Sequence, residues 1–357
     1  MNLLIFLLAL VLAIVVGRPR WPRVLRLGAL AALVVLMVAA PYISKSPGVL
    51  FDALTAMTVA YGWNFIGGYA GYPAFGNVAF LGLGAFVAAG FMSKQPHHPH
   101  LPWYVGITLG VIITTLFSAL VGIVVLRLRG HYFAIATLGV GIAMPEIINW
   151  TAIFKSFFGG GLPLNFPLVR GFDLLGLHLS ADRFFYYLAL IAAFFSVGLT
   201  AWLSRTKFGY SLLAIRENEE AAEVMGINTT IAKVEAYMLS AALAALGGAI
   251  VGYRLTNMTT ESSAIFNPIN NLQMIIIVLI GGLATVWGPW VGAVILFGIQ
   301  ELIQTLAGSI LEWQGIVFSA IIIVVVLFLP SGVMQLVRAR ARITWQLFLH
   351  NLLEYRV

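Results

Sequence analysis

The sequence predicts an all-α fold: a polytopic membrane helix bundle of about ten to eleven transmembrane helices. The first observation behind this is composition, 61% hydrophobic and only 9% charged, with a mean hydropathy of +0.98. The second is the recurrence of apolar runs of about 20 residues, the length of helix that crosses a hydrocarbon core of roughly 30 Å. The third is the absence of strand-like alternation in those runs, which leaves helices as the spanning form that satisfies its own backbone. The 36 glycines suit such a bundle, because small residues let membrane helices approach closely. With no cysteine, disulfides, thiolate metal sites and cysteine nucleophiles are excluded. At 357 residues, eleven such runs leave no room for a soluble catalytic domain.

The runs are expected at 2–16, 25–43, 51–67, 76–92, 103–126, 131–149, 183–203, 236–256, 268–286, 288–306 and 313–330. The first carries its arginines after the apolar core rather than before it, which reads as a retained helix with its N-terminus outside, not a signal peptide. Eleven crossings from an outer N-terminus place fourteen of the twenty Lys and Arg inside, including those at 18–26, 127–129, 205–233 and 338–342. That asymmetry follows the positive-inside rule, makes the C-terminus cytoplasmic, and accounts for the net charge of +7 without nucleic acid. The expected layout is a transmembrane domain over 1–337, with an outer loop at 150–182, followed by a basic cytoplasmic tail at 338–357.

One stretch departs from this pattern. Residues 205–235 carry nine charges, among them five of the thirteen acids. Burying these at about 2.5–3.5 kcal/mol each at bilayer centre would cost over ~20 kcal/mol, so the stretch belongs in water or against another protein. Asn218 is a good N-cap, Glu219 and Glu220 suit the positive end of a helix, and Gly226 is a plausible stop. A short helix is expected at about 219–225, preceded by another at about 211–217.

The segment "GYSLLAIRENEEAAEVMGIN", followed by "KVEAYMLSAALAALGGAIVG", resembles the permease subunits of bacterial branched-chain amino-acid ABC importers. "GYAGYPAFGNVAFLGLGAF" (68–86), "RLRGHYFAIATLGVG" (127–141) and "VLIGGLATVWGPWVGAVIL" (278–296) resemble three further blocks of that family, in the family's order. The resemblance implies a multi-pass protein of the bacterial plasma membrane, an ATP-driven importer subunit translocating branched-chain or other hydrophobic amino acids. It implies two ATPase subunits, a second related permease and an extracytoplasmic binding protein as partners, besides membrane lipid. It also implies a coupling element of Gly209, Ala214, Arg216, Glu217, Asn218, Glu219, Ala222, Gly226 and Asn228, seated in a cleft of an ATPase subunit. Substrate-pathway candidates are Asn64, Gly68, Tyr72, Asn77, Tyr132, Thr137, Glu146, Gly281 and Gly282. No cofactor is expected on this chain. It has no Gly-x-x-x-x-Gly-Lys-[Ser/Thr] loop, so ATP and magnesium belong on the partner ATPases. The chain departs from the family at Tyr72, Ala74 and Asn77, where Gln, Ser and His are common.

Other features have plainer readings beside sharper ones. Gly67-Gly68 and Gly281-Gly282 each end an apolar run and read either as an internal repeat or as two Gly-Pro breaks. Gly159, Gly160, Gly161 and Leu162 resemble a family loop that closes the outer mouth, or form a turn. Glu146, behind Pro145, and Glu301 are headgroup-level acids or cargo contacts, and Asp52 reads as a dipole-matched acid at a helix start. His97, His98 and His100 lie together, but prolines spread them and no acid is near, which argues against a metal site. No catalytic constellation is visible. The alternatives to an amino-acid importer are a permease for urea or a small amide, and a secondary transporter acting without an ATPase. The latter would want ionisable groups deep in the bilayer, which the runs lack.

Overall fold

The computed structural model describes residues 2–18, 21–44, 46–93, 98–150, 164–165, 172–174, 177–255, 257–258, 264–306 and 332–334. The helices are α1 (Asn2–Gly17), α2 (Arg23–Ile43), α3 (Pro47–Trp63), α4 (Asn77–Met92), α5 (Trp103–Val125), α6 (His131–Trp150), α7 (Ala181–Leu203), α8 (Lys207–Glu217), α9 (Glu219–Val224), α10 (Thr229–Arg254), α11 (Pro268–Gly281) and α12 (Gly288–Leu306). A π-helical turn, Asn64–Tyr69, continues α3. The fold is the expected helical bundle. Its extended segments among the described residues are very short: β1 (Leu164–Asn165) pairs antiparallel with β4 (Asn257–Met258), and β2 (Phe172–Leu174) with β3 (Leu177–Leu179). The first ten apolar runs each fall on one of these helices. The run at 313–330, the tail at 338–357, His97 and the Gly159–Leu162 turn lie outside the described residues.

Six helices among the described residues are long and apolar enough to cross a membrane, counting α3 with its π-helical turn, and α1, α4 and 269–281 are shorter apolar helices. The chain divides into two compact units, Ser46–Ile275 and Met1–Lys45 with Ile276–Val357.

In the unit Ser46–Ile275, α10 packs on α3, α4 and α5. Every residue of α4 except Phe91 is buried, so α4 is enclosed by neighbouring elements on nearly every side. Glycines set how close these helices come. A Cβ on Gly84 would lie 2.5 Å from the Ala245 Cα, and one on Gly248 only 1.9 Å from the Leu81 carbonyl oxygen. On α5, Gly106, Gly110, Thr114, Ser118 and Gly122 form the buried stripe, while Ile112, Leu116, Leu120 and Ile123 are exposed, as lipid contact requires.

In the other unit, α1 packs on α2 and α12. Asn2 Nδ2 donates to Glu301 Oε1 (3.0 Å), and Ser44 Oγ donates to Asn2 Oδ1 (2.7 Å). Glu301, within α12, is therefore engaged by its own chain at the start of α1. Gly281 and Gly288 face one another across a tight turn, a Cβ on Gly281 falling 1.8 Å from the Gly288 oxygen, and Gly282 has φ +119°.

One sequence expectation is corrected. Asp52 does not open a helix: α3 begins at Pro47, and Asp52 instead meets the Arg254 guanidinium at 3.4 Å. The two glycine pairs end their helices differently. Gly67-Gly68 lies inside a π-helical turn, whereas Gly281 is the last residue of an α-helix.

Candidate functional site

The polar stretch folds as its local signals demand. Thr206 caps α8, and the expected short helix is α9, Glu219–Val224. Asn218 breaks from helical geometry (φ −160°, ψ 110°), and its Oδ1 accepts from Ala221 N at 3.0 Å. Gly226 ends the element at φ +85°, where a side chain would be strained. Asn228 then caps α10, its Oδ1 accepting from Ile231 N at 3.1 Å. Gly209 is buried, with room for no Cβ against the Leu203 carbonyl (2.4 Å), and the Ala214 carbonyl accepts from Asn218 N. Ala222 is the buried residue of α9.

The two short helices have an inward and an outward face. Inward, Glu219 accepts from Lys233 Nζ at 2.6 Å and from the Tyr72 hydroxyl in a short hydrogen bond, with Arg129 at 4.0 Å. Lys233 is buried in the first turns of α10, 3.3 Å from the Tyr72 oxygen and 5.0 Å above the Tyr72 ring. The Tyr72 ring packs edge-on against Phe133 at 5.3 Å. Arg216 Nη1 donates to the Gly68 carbonyl at 3.0 Å. Outward, Glu217 and Glu223 are exposed, as are Val224 (87%) and Met225 (82%); Glu220 is exposed too but lies 3.5 Å from the Arg129 guanidinium.

Burial opposes ionisation of Glu219. The hydrogen bonds from Lys233 and Tyr72, with the charges of Lys233 and Arg129, outweigh it and hold the carboxyl below the usual glutamate range. Burial, then the hydrogen bond to Glu219 and its charge, push the Tyr72 phenol up, so it stays a donor. A lowered acid contributes stability above its unfolded pKa of about 4.3 and loses it as pH falls through the lower folded value. The thermal midpoint of the native chain should therefore exceed that of Glu219→Gln by a constant margin from pH 5 to 7, shrinking below about pH 4.3. A margin that grows on acidification would show the reverse sign.

The loop 70–76 is the meeting point of the other candidates. Trp63 Nε1 donates to the Ala74 carbonyl at 2.7 Å, and Phe75 N donates to Thr137 Oγ1 at 3.0 Å. Asn77 is buried, with Nδ2 donating to Ser240 Oγ at 2.6 Å. Asn64 is buried at the start of the π-helical turn. Tyr72, Asn77, Thr137, Gly68 and Asn64 thus gather around one loop. Tyr132 (75% exposed) and Glu146 stand on the open face of α6, while Gly281 and Gly282 belong to the other unit. His98 and His100 each place Nδ1 2.7 Å from a carbonyl at the end of α4, Gly90 and Ser93 respectively. No cluster of metal-ligating residues occurs among the described residues.

Lys233, Arg129 and Trp63 were not among the sequence candidates. The first two entered only as topology charges. A lysine flanked by Ala232 and Val234, at the entry to a spanning helix, was the available signal, because a charge there needs a partner.

The family described as branched-chain amino acid transport system, permease component, matches residues 46–326. The high-affinity branched-chain amino acid transport system permease protein LivM of Salmonella typhimurium is 25% identical over 339 residues, covering 88% of this chain and 76% of that protein. The galactose/methyl galactoside import permease protein MglC of Escherichia coli is 28% identical over 259 residues, covering 68% of this chain and 74% of that protein. The nucleoside ABC transporter permease protein NupC of Lactococcus lactis is 25% identical over 259 residues, covering 65% and 75%. No solved structure matches the chain.

Proposed function

The chain belongs to the branched-chain amino acid transport permease family, and from that premise we propose that α8–α9 is the element through which ATPase subunits drive it. It is a multi-pass inner-membrane transport component, not an enzyme. The orientation that goes with this reading puts α8–α9 in the cytoplasm and the ATP and magnesium on separate chains. An extracytoplasmic binding protein delivers cargo, and a second related permease completes the pore. The proposed cargo is a branched-chain or other hydrophobic amino acid. The LivM likeness, which runs over 88% of the chain, supports it beside sugar- and nucleoside-permease likenesses of shorter span.

The observation that carries the coupling reading is the two-faced character of α9. One face is fastened to its own chain through Glu219. The other offers two large apolar side chains, Val224 and Met225, with Glu217 and Glu223 also exposed, while Glu220 lies 3.5 Å from Arg129. Exposed apolar side chains with acidic neighbours suit a cleft that is apolar at its base and basic at its edge.

The double substitution Val224→Asp, Met225→Asp should reduce co-purification of the ATPase subunits by about tenfold or more, since truncated or polar-substituted interface anchors typically cost above 1 kcal/mol each. Both side chains are exposed, so the thermal midpoint of the permease alone should be unchanged. Undiminished capture of the ATPase subunits would reject this docking face. Uptake screening of the reconstituted importer with leucine, galactose, a nucleoside and urea would test the cargo.

A further inference from the structure

We propose that Arg216 and Glu219 form an internal joint, distinct from the motor-docking face, which passes displacement of α8–α9 into the π-helical turn Asn64–Tyr69, the segment that changes conformation. This rests on the coupling reading above and adds what the coupling element grips.

Three ties converge on that turn and the loop after it. Arg216 holds the Gly68 carbonyl (3.0 Å), Glu219 holds the Tyr72 hydroxyl, and Trp63 holds the Ala74 carbonyl (2.7 Å). Gly71, at φ +75°, lies against Arg216, where a Cβ would come within 2.9 Å of its Cγ. Arg216 and Glu219 therefore cannot shift without displacing residues 68–72.

The turn is built to yield. Its wide hydrogen bonds include Ala70 N to the Phe65 carbonyl (3.1 Å) and Tyr72 N to the Ile66 carbonyl (2.9 Å). A π-helical turn carries one residue more than the α-helical register, and such turns concentrate at functional sites. Recovering α-helical pairing would rotate the chain beyond Tyr69 by about 100°, one residue's share of a 3.6-residue turn. Two glycines, Gly67 and Gly68, sit inside it, and a Cβ on Gly67 would fall 2.4 Å from the Trp63 ring. At the far end of the loop, Asn77 Oδ1 is buried and has no hydrogen-bond partner among the described residues. A buried acceptor left open is costly, and a rearranged loop backbone N–H is a donor that can close it.

The native chain has no cysteine, so Ala70→Cys supplies a single thiol at a buried position after the turn. The permease is assembled with its ATPase subunits in nanodiscs, and maleimide labelling of Cys at 70 is timed with and without a slowly hydrolysed ATP analogue. Nucleotide should change the labelling rate by about fivefold or more, the lower end of ordinary coupling between sites. Adding Arg216→Met together with Tyr72→Phe, which removes both ties while keeping the Tyr72 and Phe133 rings, should bring that ratio close to one while the ATPase subunits remain bound. Each single substitution leaves one tie and should lower the ratio less than the pair does. A nucleotide response that persists undiminished in the double variant overturns the joint. Loss of the ATPase subunits in the double variant also overturns it, by placing Arg216 on the docking face. If the unsubstituted chain captures no ATPase subunit, the coupling reading itself fails and the joint falls with it.

Discussion

Replacing Gly248 with valine should leave little or no folded protein, whereas the same substitution at Gly139 should be tolerated. A Cβ at 248 would sit 1.9 Å from the Leu81 carbonyl oxygen and 2.7 Å from its carbon. The obstacle is backbone, so no rotamer change relieves it. It also belongs to α4, which is buried on nearly every side and has nowhere to retreat. The gain in helix propensity on replacing glycine, up to about 1 kcal/mol, is small against overpacking that costs about 1–3 kcal/mol even where side chains can yield. Separating α10 from α4 would also open the Gly84–Ala245 contact. At Gly139, on α6, a Cβ meets nothing within 4 Å. The check is size-exclusion chromatography and the thermal midpoint of both variants in detergent. A monodisperse Gly248→Val protein with an unchanged midpoint would mean that α4 and α10 are not packed as described.

Lys233→Met should destabilise the chain by about 1–3 kcal/mol, the cost of leaving a part-buried acceptor without its charged partner. The Lys233 side chain is 6% exposed and that of Glu219 15%, so water cannot replace the lost ammonium well. Tyr72 still donates to Glu219, but Arg129 at 4.0 Å is largely solvent-exposed and is a weak substitute. Adding Glu219→Gln to Lys233→Met should recover part of the loss, because a neutral pair no longer leaves a charge stranded. Thermal unfolding of the single and double variants measures this directly. A double variant as unstable as the sum of its single substitutions would show that the two residues do not share a contact.

Much of the bundle is legible in the chain because lipid imposes a local rule. A segment either carries enough hydrocarbon over about 20 residues or it does not. The caps of α9 and α10 are equally local. Asn218 and Asn228 each satisfy an amide three residues on, and Gly226 supplies a left-handed turn, all within a few residues. Asp52 marks the limit of local signals: taken as a helix-start acid, it lies five residues past the start of α3 and answers Arg254, 202 positions away. Glu301 likewise answers Asn2. The π-helical turn has no signature beyond its glycines, and the Arg216 that binds its Gly68 carbonyl comes from 148 positions away.

Membrane embedding, the polar interruption at 205–235 and its two capped helices are consequences of composition and short-range hydrogen bonding, so they can be read along one dimension. Which of the clustered glutamates turns inward cannot. Glu217, Glu219, Glu220 and Glu223 are chemically alike, and Glu219 is singled out because folding brings Lys233 and Tyr72 to it from 14 and 147 positions away. A charge can be buried where its counter-charge is already waiting, and that place exists once the helices have packed.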